Sequence, residues 1–150
     1  AAGSGGYTWK GGKLWQDTFH RNEFLTHCMR KDGNEVRDVA LGFDHTVVLS
    51  SNRRDVYTFG RGEHGQLGLV GKPYVSAPKR SSELSSGKDD PPVDISAVCA
   101  PGNCSVTLDA DGGVLKSVGK CKNVDRALQL CISRARARNL VSKNHSAPPI

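Results

Sequence analysis

A chain of 150 residues with 37% apolar content lies within the range of one domain and can support a core, while 17 glycines and 7 prolines favour a turn-rich β protein. No apolar run approaches the length of a membrane span, so no membrane partner is expected. The net charge of +6 is lopsided: residues 116–150 hold eight Lys/Arg against Asp125 alone, and residues 1–115 hold thirteen against fourteen Asp/Glu. An electrostatic partner would therefore be met by the C-terminal segment.

In chain order, Ala1 to Gly6 reads as a flexible linker, not a signal peptide. Trp15, Phe19, Leu25 and Cys28 fit a loosely helical face of poor period. Residues 39–41 and 46–49 are short β-branched, apolar strands separated by Gly42-Phe43-Asp44, where Gly42 supplies a backbone conformation or a close approach that a side chain would forbid. Ser51-Asn52-Arg53-Arg54 turns into a third strand at 56–59, with Val56 and Thr58 facing one way and Tyr57 and Phe59 the other. The run Gly60 to Gly68 is too glycine-rich for a helix or regular strand; it lacks the Gly-Lys-Ser/Thr ending of a phosphate cradle and reads as a compact connection. A fourth strand is expected near 77–84, at a sheet edge because Pro78 cannot donate to a ladder.

A worn copy of this unit follows 59 positions later: Val98 to Leu108 overlays 39–49, Val114 to Gly119 overlays the third strand, and Gly60 matches Gly119. Asp111-Gly112 marks its hairpin turn. Tyr7-Thr8-Trp9 is a third trace. Fixed periods of this size indicate stacked units that cannot bury their apolar faces alone, and four short antiparallel strands per unit describe a propeller blade. The repeats span 7–120, with the best unit at 36–84 and a degenerate copy at 92–119. Residues 121–150 form a basic segment, partly helical or disordered. There Asn123 is placed to cap a helix with Val124, Leu128, Cys131 and Ala135 on one face; an alternating strand over 134–138 is the rival, and 142–150 is expected to be disordered.

The small apolar stretch, Gly42, His45, Phe59-Gly60 and Gly65-Gln66-Leu67-Gly68 resemble, in order and spacing, the regulator of chromosome condensation repeat family. The resemblance implies an all-β fold of antiparallel, four-stranded, propeller-type blades, here about two to three blades of a seven-bladed type. It also implies that Gly42, His45, Phe59, Gly60, Gly65, Gln66, Leu67 and Gly68 are structural framework. The family's founding member is a nucleotide exchange factor for a small nuclear GTPase. Pro101 and Cys104 stand where the copy should have the glycine and histidine, and Lys10 follows Trp9 where a glycine is expected. Two to three blades cannot close such a ring, so either a longer polypeptide or partner surfaces complete the edges. The Tyr-Thr-Trp start and Arg126-Ala127-Leu128-Gln129-Leu130 are also similar to the propeller of NIMA-related kinases, although no His-Arg-Asp or Asp-Phe-Gly occurs.

Catalytic constellations are not readable. Asp44 and His45 are adjacent on a strand and point to opposite faces, and His20, His27 and Cys28 lack a fourth ligand at a recognised spacing. The chain is read as no enzyme, with no catalytic, cofactor-binding or metal-binding residue. Five cysteines without a pairing pattern suit a reducing compartment, with Cys99 and Cys104 as small buried apolar residues, so the expected location is intracellular, cytoplasmic or nuclear. Two Asn-x-Ser triplets, at Asn103 and Asn144, read as chance. Arg134, Arg136 and Arg138 are suited to phosphate or to an acidic protein surface. No aromatic residue follows Tyr74, so base stacking is not expected. The expected function is a non-catalytic protein-interaction or scaffold module. The alternatives are guanine nucleotide exchange on a small GTPase, chromatin or nucleic-acid contact through the basic tail, and a regulatory propeller of a larger kinase or ubiquitin-ligase polypeptide.

Overall fold

Period-two alternation of apolar residues over 39–59 demands a sheet with two covered faces. In the computed structural model, which describes residues 21–89 and 91–143, each face has its own cover. Strands β1 (Val36–Leu41), β2 (His45–Ser50), β3 (Val56–Arg61) and β4 (Tyr74–Arg80) form one antiparallel sheet in the order β1-β2-β3-β4. Strands β5 (Ala97–Cys99), β6 (Cys104–Leu108) and β7 (Val114–Gly119) form a second, in the order β5-β6-β7. The repeat is visible in the pairing itself: His45 lies opposite Gly60 and, 59 positions on, Cys104 lies opposite Gly119.

The fourth strand begins and ends earlier than its expected 77–84 and is an edge strand. Its ladder with β3 is interrupted between Thr58 and Gly60, so that Pro78 falls in the irregular stretch between Val75 and Lys79 where no donor is needed.

Val47, Leu49 and Val56 pack with Leu84, Ile95, Val98 and Ala100 in the space between the sheets. On the opposite face, Val48, Tyr57, Phe59, Leu67 and Val75 meet Leu25 and Met29 of α1 (Glu23–Lys31). Of the four residues read as a loosely helical face, Leu25 and Cys28 fall within α1. Asn22 caps α1 by accepting from the Leu25 N–H at 2.9 Å, and Leu25 and Met29, one turn apart, form its buried stripe. Trp15 and Phe19 lie outside the described residues, as do the linker 1–6, the trace at 7–9 and residues 144–150.

The outer face of the second sheet, carrying Ala97, Cys99, Cys104, Val106 and Leu108, is covered by Leu128, Ile132 and Ala135 of α2 (Asp125–Ala137). The helical reading of the C-terminal segment holds, and the alternating strand over 134–138 does not form, because those three residues at helical spacing all find the sheet. Asn123 does not cap α2; it adopts a left-handed backbone at φ 59 one residue before Val124, the N-cap. The described residues therefore form a partial all-β propeller of two blades in face-to-face contact, with a helix on each outward face. Among the described residues no helix is long and apolar enough to cross a membrane.

Candidate functional site

The blade junction is built around His45. Its side chain is buried, and Nε2 lies 2.8 Å from the Ser105 hydroxyl of the second blade. Ser105 in turn donates to the Gln66 carbonyl at 2.5 Å. Since the hydroxyl has one proton and gives it to Gln66, Nε2 of His45 must carry the hydrogen, which leaves Nδ1 as a buried lone pair without a partner. Burial pushes the imidazole down from 6.5 to about 4, against the opposing pull of the Cys104 backbone and the Asp44 charge. A neutral, fully enclosed histidine of this kind is a weld between blades. Asp44 is turned away and pairs with Arg61 at 3.6 Å.

Gly42 is required by contact. A Cβ there would strike the His45 imidazole and stand 2.9 Å from the Gly102 carbonyl oxygen. Gly60 is required by conformation as well, at φ 108 with the Asp44 carbonyl 2.5 Å from where its Cβ would be; Gly119 repeats the arrangement at φ 94. The Gly65 to Gly68 segment is a compact connection with inward-facing groups. Gln66 and Leu67 are buried, the Gln66 side chain accepts from the His64 N–H at 2.9 Å, Thr58 donates to the Leu67 carbonyl at 2.7 Å, and Ser81 donates to the Gly68 carbonyl at 2.9 Å. Phe59 is wholly buried.

Further residues, unmarked in the sequence, reinforce the junction. Buried Asp38 accepts from the Val98 N–H at 3.0 Å and pairs with Arg138 at 2.9 Å, while Arg37 donates to the Ser96 carbonyl and Arg53 to the Ser96 hydroxyl. Nothing in a single sequence distinguishes Asp38 from a solvated strand aspartate; its role exists only when β5 and α2 arrive beside it.

The three C-terminal arginines do not form one surface. Arg138 is the partner of Asp38. Arg136 is half-buried, its Nη2 lying 3.5 Å from where a Cβ on Gly112 would be. Arg134 alone of the three is exposed and without a side-chain partner among the described residues. All three lie on α2 or at its C-cap, outside the strands of either blade, and α2 is the cover of the second sheet. The unpaired-cysteine reading is corrected: Cys99 is bonded to Cys131 and Cys104 to Cys121, with Cα separations of 6.1 and 5.1 Å. Sequence separations of 32 and 17 carry no motif; the pairs arise because α2 lies over β5 and the chain after β7 turns back beside β6. The cysteine argument for a reducing compartment falls with it.

Beside the junction, β1, the Gly42-Phe43 turn, the Ala100–Gly102 turn and α2 enclose an open groove of about 640 Å³. Leu41, Phe43 and Leu130, at 45%, 71% and 53% exposure, are large apolar side chains that line it. Its charged lining residues are Arg134 and Arg138.

Blades repeated in sequence, face-to-face packing and a histidine weld define a repeat-built propeller protein. The regulator of chromosome condensation (RCC1) repeat matches residues 36–66 and residues 55–108, the second span running from the third strand of one blade into the second strand of the next. The RCC1-like G exchanging factor-like protein of Mus musculus is 32% identical over 104 residues, which are 69% of this chain and 21% of that relative. Its Homo sapiens counterpart is 30% identical over 112 residues, 75% of this chain and 23% of the relative. The crystal structure of human WBSCR16 aligns with a TM-score of 0.49 at 27% identity, covering 73% of this chain and 25% of that one. The chain is a divergent member of the regulator of chromosome condensation repeat family. It spans between a fifth and a quarter of the length of these relatives.

Proposed function

We propose that the chain is a non-catalytic protein-interaction module. The observation that carries this reading is the division of labour at the junction: His45, Ser105, Gln66 and Asp38 are spent on holding blade to blade, while Leu41, Phe43 and Leu130 are left exposed together. Clustered exposed apolar side chains mark surfaces that meet another protein. A photo-crosslinking phenylalanine analogue at position 43, introduced in cells, is expected to give discrete light-dependent protein adducts that the same label at exposed Lys79 does not. Equal adducts from both positions, or none from position 43, would refute the reading.

Guanine nucleotide exchange is the second reading, favoured by the names of the mouse and human relatives. Exchange requires a preorganised surface that disrupts phosphate and magnesium contacts in the GTPase, and accelerated release of labelled GDP at catalytic amounts of the chain would establish it. An intracellular setting, cytoplasmic or nuclear, belongs to the proposal. In a reducing compartment the two cysteine pairs would stand as neighbouring dithiols.

A further inference from the structure

The groove supplies more than an apolar patch, and its chemistry selects an occupant. Ala127, Leu130, Arg134 and Ala137 follow one another at spacings of three and four, so they form a single stripe along α2 facing β1 and the Ala100–Gly102 turn. No acidic side chain lines the groove. Of its two cations, Arg138 is already neutralised by Asp38 at 2.9 Å, whereas Arg134 has no side-chain partner among the described residues. The wall that carries Arg134 is held on both sides of it, by Leu128, Ile132 and Ala135 packed on the second sheet and by the Arg138–Asp38 pair. A preformed wall lowers the ordering cost of binding.

Resting on the interaction-module reading, we propose that this groove binds a short peptide segment of a partner protein, with a bulky apolar residue seated among Leu41, Phe43 and Leu130 and a carboxylate paired with Arg134. The volume fits a few residues, in the range of pockets that enclose a compact ligand. The guanidinium supplies the orientation, because its planar fork donates two parallel N–H bonds to a carboxylate one helical turn from the apolar anchor.

The test begins with selection of a random dodecapeptide display library on the purified full chain. Enriched peptides, made with a fluorescent label, are then titrated against the wild type, Leu130→Gln, Arg134→Glu and, as a distant control, Lys79→Glu. Residues 130, 134 and 79 are exposed, and circular dichroism verifies that the variants fold. The expected result is a consensus pairing Leu, Ile, Phe or Trp with Asp or Glu, at least a tenfold loss of affinity in Leu130→Gln and Arg134→Glu, and no loss in Lys79→Glu. A consensus without a carboxylate, binding unchanged in both groove variants, or no enrichment overturns the proposal. So does a homodimer in gel filtration that Leu130→Gln dissolves, which would seat a second copy there, or a labelled 20-base-pair duplex that binds the wild type and is lost in Arg134→Glu. Peptides that bind but ignore the groove variants would leave the interaction-module reading standing; failure of the position-43 crosslinking as well would remove both.

Discussion

Acidification should loosen the blade junction through His45. The imidazole is neutral in the folded protein down to about pH 4 and has an ordinary value of 6.5 once exposed by unfolding. Above pH 6.5 both states carry the neutral ring, and the junction has its full stability. As the pH falls from 6.5 toward 4 the unfolded chain takes up a proton that the folded one refuses, and below 4 both are protonated. Each pH unit in this window costs about 1.4 kcal/mol, and the whole interval about 3 kcal/mol. The first proton to enter must go to Nδ1, which faces Gly42 and makes no hydrogen bond in the folded protein. Urea unfolding followed by circular dichroism, at half-unit steps from pH 7.5 to 4.5, measures the effect when wild type and His45→Gln are compared. The wild-type free energy should fall more steeply by about the stated slope, whatever the offset the substitution introduces at neutral pH. Asp55 does not enter this window: burial would raise its carboxyl, but hydrogen bonds from Arg80 and Asn52 outweigh that and hold it below 3.8. Its contribution is present above 3.8 and is lost only as the pH falls further. Parallel curves for wild type and His45→Gln would refute the neutral, enclosed histidine.

Gly42→Ala should destabilise the chain by at least about 2 kcal/mol through overpacking against His45 and Gly102, and the double change with His45→Ala should cost less than the sum of the two in thermal unfolding. Replacing Cys99 and Cys131 together by serine should cost about 3–4 kcal/mol by the loop-closure argument for a separation of 32 residues; equal unfolding midpoints for this variant and the oxidised wild type would contradict the bond. Arg138→Ala should cost about 1–2 kcal/mol, a value held down by the half-exposed arginine and by the Val98 N–H that still serves Asp38. Arg134→Ala should leave stability unchanged in the same denaturant titration, since its head group supports nothing in the fold.

The legible part of this molecule was the part with local periodicity. Alternation placed β2 and β3, and the Gly42, His45 and Gly60 to Gly68 spacing placed the junction, because a strand's two faces and a glycine's contacts are written within a dozen residues. His45 was readable as framework; Ser105, its actual partner, was not, since a serine in an apolar strand looks like any other until a second blade covers it. The helices were half-legible. Leu128 and Ala135 stood out, but Ile132 was missed, and in α1 Leu25 was read while Met29 was not, because a stripe of two residues one turn apart is too short to define a period. The disulfides and the Arg138–Asp38 pair were invisible because they join segments whose adjacency is a product of stacking. Charge counting overreached for the same reason: it treated the tail's arginines as a common surface, and folding gave them three different environments.

The helices on the outward faces give the stack the logic of a growing polymer with blocked ends. A propeller ring adds blades because each exposes an apolar sheet face for the next. Here α1 and α2 already occupy those faces, so another blade can join the second sheet only by evicting α2. That eviction cannot proceed by sliding, for the helix is stitched to β5 through Cys131 and to β1 through Arg138. The bridge and the ion pair make α2 an integral layer of the second blade, so that whatever meets this side of the stack meets a helix surface and not bare strands.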